Sequence, residues 1–213
     1  MKKTLIIMLI NICLFSSCAP TKTDKYNALN DYLDSVVNDT EEIIIIKEKE
    51  SPDLAIIMFY GNDFYSQFPD TTVVIRENGI QGLVYNNDKH SNLFTQKDWL
   101  KMKKKYGGTK SNTLANSGYW DINDFRHRSI VFKNQDVFLK DIISFKNFDI
   151  PNSQKRVFNL SYPISYKKKY LVFSVVVKTT RSIGRAIINN TVVMEKINNK
   201  WIVIDRAYAQ CCD

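Results

Sequence analysis

Residues Arg156 to Tyr208 read RVFNLSYPISYKKKYLVFSVVVKTTRSIGRAIINNTVVMEKINNKWIVIDRAY, and this stretch decides the fold. β-Branched and aromatic residues gather in four runs, Arg156 to Tyr166, Tyr170 to Thr180, Arg185 to Ile197 and Trp201 to Tyr208. Lys167-Lys168-Lys169, Arg181 to Gly184 and Asn198-Asn199-Lys200 separate them, connections so short that they join only antiparallel neighbours. In the last run Trp201, Val203, Asp205 and Ala207 face one way, and Ile202, Ile204, Arg206 and Tyr208 the other. Pro163 has no N–H to give a ladder, which predicts an edge strand or a bulge in the first run. The expectation is a four-stranded antiparallel meander with helices packed on one face, an α+β domain.

Upstream, Tyr26, Leu29, Tyr32, Leu33, Val36 and Val37 recur at three- and four-residue intervals, predicting an amphipathic helix over Asp24 to Asn38 with Thr23 as N-cap. Ile43 to Ile46 and Leu54 to Tyr60 read as strands apolar on both faces, and therefore well covered. Asn78-Gly79 suits a tight hairpin turn between Thr71 to Arg76 and Ile80 to Tyr85. Thr95 and Asp98 resemble a capping box opening a helix over Gln96 to Tyr106, stopped by Gly107-Gly108. Trp120, Ile122 and Phe125 restart a buried segment, and Val137 to Ile143 reads as helix.

The chain opens with Met1-Lys2-Lys3 and runs apolar from Leu5 to Phe15, interrupted only by Asn11. A bilayer span needs about 20 apolar residues; this run has 11, so it reads as a secretory signal. Leu14-Phe15-Ser16-Ser17-Cys18 resembles a lipobox, after which Cys18 becomes an acylated N-terminus; ordinary cleavage near Ser17 is the other reading. Residues 1–17 are then the signal peptide, 18–23 a polar tether and 24–213 the domain. The tether lacks the acidic cluster that resembles a surface-export signal in some lipoproteins of the Bacteroidota. The expected address is the periplasmic face of the outer membrane, with the lipid anchor as the membrane contact.

Without the signal, 30 − 2 leaves 28 basic residues against 22 acidic ones, a net charge of +6. Cys18 to Thr95 holds 6 basic and 13 acidic residues, and Gln96 to Asp213 holds 22 and 9. Either the halves pair across one fold, or a basic face meets an anionic partner such as headgroups, an acidic polysaccharide or a protein. Nucleic acid is a poor candidate in either case, since an exported, tethered protein does not normally meet it. Cys13 leaves with the signal, so Cys211 and Cys212 form a possible redox pair. Adjacent α-carbons lie about 3.8 Å apart, too close for an unstrained disulfide, so a strained bridge, two thiols and pairing to another chain all stay open.

Chemistry-bearing residues are scarce. The two histidines are His90, in a polar loop, and His127, between Arg126 and Arg128, whose charges disfavour a bound cation. Asp121 and Asp124 read either as paired carboxylates or as a helix cap with a solvated neighbour. Gly107-Gly108-Thr109-Lys110 lacks the spacing of a phosphate loop and ends a helix where such a loop begins one. These readings leave no catalytic, cofactor-binding or metal-ligating residue, and no cofactor.

Thr95-Gln-Lys-Asp98 before a Lys-rich helix, Trp120-Asp121, Ser161-Tyr-Pro-Ile164 and Asn199-Lys200-Trp201-Ile202-Val203 together resemble a family of uncharacterised exported lipoproteins of the Bacteroidota, over roughly residues 93 to 208. The resemblance implies the meander and the envelope address, and no reaction. The expected function is a non-enzymatic, protein-binding envelope lipoprotein, with a small apolar-ligand carrier or an immunity-type lipoprotein as alternatives.

Overall fold

The computed structural model describes residues 19–56, 73–74, 83–85, 96–107, 118–127, 129–143, 154–180 and 188–210. In chain order its elements are α1 (Lys22–Val36), β1 (Ile43–Ile46), α2 (Asp53–Ile56), β2 (Val73–Val74), β3 (Leu83–Tyr85) and α3 (Gln96–Tyr106). After a 3-10 turn at Ile122–Asp124 come β4 (Ile130–Lys133), α4 (Gln135–Ile143), β5 (Arg156–Leu160), β6 (Ile164–Tyr166), β7 (Tyr170–Thr179), β8 (Ile188–Ile197) and β9 (Lys200–Gln210). The signal residues, Cys18, the Asn78-Gly79 turn, His90, Thr95, Cys211 and Cys212 lie outside the described residues.

The described strands form one mixed sheet of nine, in the order β2-β3-β9-β8-β7-β5-β1-β4, with β6 also pairing β7. β7–β8 and β8–β9 pair antiparallel, as do β5–β7 and β6–β7. The pairing reaches beyond the four predicted runs, and the first of them, Arg156 to Tyr166, holds two strands, β5 and β6. Pro163 lies in the break between them. Ser161 covers the gap: its N–H donates to the Ser174 carbonyl at 3.1 Å and its Oγ accepts the Ser174 N–H at 2.8 Å. On the far side β1 lies between two parallel partners, Ile43↔Ile130 in β4 and Ile44↔Val157 in β5. A strand between parallel neighbours is covered on both faces, and all four isoleucines are buried.

That double burial corrects the expectation of helices on one face only. Ile43 and Ile45 join the main core with Ala28, Leu29 and Leu33 of α1, Phe158, Leu171, Phe173, Val192 and Trp201. Ile44 and Ile46 point the other way, against Val157 and Phe138 of α4. Helices therefore pack on both faces.

Other differences are local. α1 starts at Lys22 rather than Asp24, because Thr21 and not Thr23 is its N-cap: the Asp24 N–H donates to Thr21 Oγ1 at 3.1 Å and the Thr21 N–H to Asp24 Oδ2 at 2.9 Å. The run beginning at Leu54 starts as a helical turn, the Ile56 N–H donating to the Pro52 carbonyl at 3.1 Å. Ser51-Pro52-Asp53 is a helix start, with Pro at a first-turn position where no N–H is needed and Ser51 Oγ donating to Asp53 Oδ2 at 2.7 Å. α4 begins two residues before Val137, its Gln135 N–H donating to Glu48 Oε2 at 2.8 Å. Ile122 is exposed, while Trp120 and Phe125 are buried.

Candidate functional site

Past β1 the chain stays extended between two partners. The Lys49 N–H donates to the Gly118 carbonyl at 2.7 Å, the Trp120 N–H to the Lys47 carbonyl at 2.7 Å, and the Glu50 N–H to the Leu160 carbonyl at 3.0 Å. This places Lys49 on an aromatic cluster. Tyr26 of α1, Trp120 and Tyr162 lie 6.2 to 6.4 Å apart between ring centroids, and Phe125 meets Trp120 edge-on at 5.5 Å. The Trp120 indole N–H donates to the Leu160 carbonyl at 3.3 Å.

Three ammonium groups cap these rings. Lys49 Nζ sits 4.6 Å from the Trp120 centroid, Lys25 Nζ 4.6 Å from Tyr162 and Lys22 Nζ 5.7 Å from Tyr26. Each such contact contributes about 0.5–2 kcal/mol, more as water is excluded. Burial pushes the Lys25 and Lys49 ammonium pKa values down, helped by the like charge of Lys105 for Lys25 and of Lys22 for Lys49, against Asp124 for Lys49. Burial, with the Asp124 carboxylate nearby, pushes the Tyr26 hydroxyl up to about 12. The sequence signal for this arrangement is Lys22 and Lys25, both preceding Tyr26 within about one helical turn.

The residues singled out for chemistry have structural partners. His127 Nε2 lies 2.8 Å from the Glu41 carbonyl oxygen, so that nitrogen carries the proton and donates. Asp121 Oδ1 accepts the Asn123 N–H at 2.9 Å and Asp124 Oδ2 accepts the Asp121 N–H at 2.9 Å, so the two carboxylates cap the 3-10 turn reciprocally. The Gly107 N–H donates to the Lys103 carbonyl at 2.8 Å, closing α3. No group of three or more His, Cys, Asp and Glu side chains suited to a metal occurs among the described residues.

The lopsided charge also finds partners across the fold. Acids of the N-terminal half meet bases of the C-terminal half at Asp31–Arg126 (2.6 Å), Asp34–Arg126 (3.1 Å), Glu41–Arg156 (2.5 Å) and Asp24–Lys196 (2.8 Å), and in the Glu42–Lys155 pair. Five of the 13 acids of the N-terminal half are thus paired with four bases of the C-terminal half among the described residues.

A second feature is the outward face of β9. Ile202 and Ile204 are 42% and 37% exposed, and Ile197 at the end of β8 is 40% exposed. β9 meets β3 only at Tyr208–Gln210, so from Trp201 to Ala207 its sole strand partner among the described residues is β8. Two amides there are already bonded to carboxylates: the Trp201 N–H donates to Asp31 Oδ2 at 2.7 Å and the Arg206 N–H to Asp205 Oδ1 at 2.8 Å. Such bonds blunt an edge against strand addition, and leave Ile202 and Ile204 as the exposed apolar part of the outward face of β9.

Family models, curated proteins and solved structures were compared with the chain. None matches. No helix among the described residues is long and apolar enough to cross a membrane.

Proposed function

We propose that this chain is an envelope lipoprotein, held by acyl chains on Cys18 at the periplasmic face of the outer membrane, whose C-terminal four-run meander is a non-enzymatic platform for another protein. Kinship with the exported Bacteroidota lipoproteins it resembles belongs to the same proposal. The observation that carries it is the apolar strip of Ile197, Ile202 and Ile204 beside a strand edge whose amides are partly occupied. Grouped exposed aliphatics on a sheet face mark interaction surfaces. The structural bonds of His127, Asp121 and Asp124 support a binding role over a hydrolytic one.

The test is capture from envelope extract on the Cys18-anchored chain, with Ile202→Glu/Ile204→Glu as the comparison. The expected result is a stoichiometric protein captured by the parent chain and lost from the variant, at unchanged melting temperature. Bound lipid or metabolite in place of a protein favours the small apolar-ligand carrier and overturns the platform. Mass spectrometry of the mature N-terminus checks the anchor, and an unmodified Cys18 or Ala19 terminus refutes it.

A further inference from the structure

Two hairpin turns lie side by side at one end of the sheet. Tyr166 pairs Tyr170 across the β6–β7 turn, Ile197 pairs Lys200 across the β8–β9 turn, and Tyr170 itself pairs Glu195, two residues before Ile197. Lys169 meets Glu195 at 2.5 Å and ties one turn to the other. Two more ion pairs bring helices to the same end. Asp24, in the first turn of α1, meets Lys196 at 2.8 Å, and Asp98, in the first turn of α3, meets Lys167 at 3.9 Å.

What this end presents is basic. Lys22, Lys167, Lys168, Lys169, Lys196 and Lys200 are all exposed. The acids among them, Asp24, Asp98 and Glu195, have side chains only 15–18% exposed, against 42–56% for the lysines they meet, so the outer member of each pair is the ammonium. Lys168 and Lys200 meet no acid among the described residues. Counting these six lysines against these three acids leaves 6 − 3, a charge of +3. Charges beside this end cancel: Lys25 and Lys49 offset Asp121 and Asp124 around the aromatic cluster, and Arg126 offsets Asp31, which accepts the Trp201 N–H. Asp34 also meets Arg126, but lies ten residues along α1 from Asp24, about 15 Å away.

The proposed anchor is tied to the same end. Thr21 caps α1 and Lys22 is its first residue. The four peptide steps from Cys18 to Lys22 reach about 14 Å when fully extended. An acyl chain on Cys18 therefore holds the start of α1, and with it Lys196, near a bilayer surface whose field decays over about 8 Å at physiological salt.

We infer that the sheet end formed by the β6–β7 and β8–β9 turns docks, through Lys168, Lys200 and the lysines around them, on anionic lipid headgroups of the membrane that anchors Cys18. The inference rests on the lipid anchor proposed above. An acidic protein surface would suit the same lysines; the short tether is what favours the membrane. An acyl chain joined to a basic surface is a two-signal attachment, in which the chain supplies hydrophobic transfer and the lysines supply orientation. Docked this way, β7, β8 and β9 stand up from the bilayer. Ile197 meets the headgroups, and Ile202 and Ile204 face a protein partner beside it.

The test uses the full mature lipidated chain in vesicles of phosphatidylcholine alone, and of phosphatidylcholine with phosphatidylglycerol. Amine-labelling rates of individual lysines are read by mass spectrometry. Lys168 and Lys200 are expected to label about fivefold more slowly on the anionic vesicles, the equivalent of about 1 kcal/mol per lysine at such a surface. Lys178, eight residues along β7 from Tyr170 and about 27 Å away, keeps its rate. So does Lys155, whose carbonyl accepts the Thr180 N–H at that far end. The protection disappears in about 1 M salt, where the screening length falls to ~3 Å. In Lys168→Glu/Lys200→Glu, with an unchanged circular dichroism spectrum, Lys22 and Lys169 lose their protection. Should that variant unfold, salt reversal in the parent chain decides the matter. Equal slowing of Lys155 and Lys178 overturns the oriented docking. Equal labelling on both vesicles, by a chain whose N-terminal peptide carries lipid, overturns the docking, leaves the anchor standing and turns the lysines to an acidic protein. An N-terminal peptide without lipid overturns both.

Discussion

Asp31 and Trp201 meet across 170 residues of sequence, the Trp201 N–H donating to Asp31 Oδ2 at 2.7 Å, while the other carboxylate oxygen of Asp31 accepts from Arg126 at 2.6 Å. One buried acid on α1 thus fixes the start of β9 and the segment after the 3-10 turn. Asn30 beside it works the same way, donating to the Asp124 carbonyl at 2.9 Å and accepting the Arg126 N–H at 2.6 Å.

Asp31→Ala is expected to destabilise the protein by about 1–3 kcal/mol, mainly by leaving the Trp201 amide unpaired. Arg126 is half exposed and regains water, so its lost ion pair adds little. Urea unfolding with an unchanged denaturant slope measures the effect. A midpoint equal to that of the parent chain would show that Asp31 does not hold β9.

The Glu41 carboxyl is held below the usual carboxylate range, first by its hydrogen bonds from Arg156. Its folded pKa lies below its unfolded value of about 4.3, so the stabilisation is complete above that value and is lost as pH falls through the lower, folded pKa. Acid unfolding curves are expected to show a shallower loss below about pH 4.3 for Glu41→Gln than for the parent chain. Both partners are about three-quarters buried, and the pair contributes about 1 kcal/mol. Parallel acid curves for the two chains would rule the pair out as a source of acid sensitivity.

Gly107 closes α3 against its own preceding turn. A β-carbon there would stand 2.6 Å from the Lys103 carbonyl oxygen, a backbone atom that cannot swing aside. Gly107→Ala is expected to cost about 1–3 kcal/mol, the usual range for overpacking. Thermal melts check it, and an unchanged melting temperature would mean that α3 ends differently.

Lys167 and Lys168 turn the β6–β7 hairpin at φ 47° and 56°, while Asn198 and Asn199 turn β8–β9 at 50° and 62°. Asparagine tolerates this left-handed region and lysine does not. Lys168→Gly is therefore expected to stabilise the protein by about 0.5–1 kcal/mol. A lower unfolding midpoint in the variant would show that the lysine side chain contributes more than its strained backbone costs.

Legibility in the sequence followed the range of the deciding force. Gln96–Tyr106 and Ile43–Ile46 have the bounds that periodicity and β-branching predict, because both signals act within a few residues. Leu54 was open to misreading for the same reason: a short apolar run fits helix or strand, and the Ser51-Pro52-Asp53 start signal is what separates them.

The sequence by itself determined where α3 and β1 begin and end, that the connections between β7, β8 and β9 are too short for parallel pairing, and that the two halves of the chain carry opposite charge. Only the tertiary structure decided that β1 lies between β4 and β5, that helices cover both faces, and that Tyr26, Trp120 and Tyr162 converge beneath Lys22, Lys25 and Lys49. The physical reason is that propensity and turn geometry are local, whereas parallel pairing and ring contacts join segments dozens of residues apart, and nothing along the chain records which of many apolar partners a buried side chain will find.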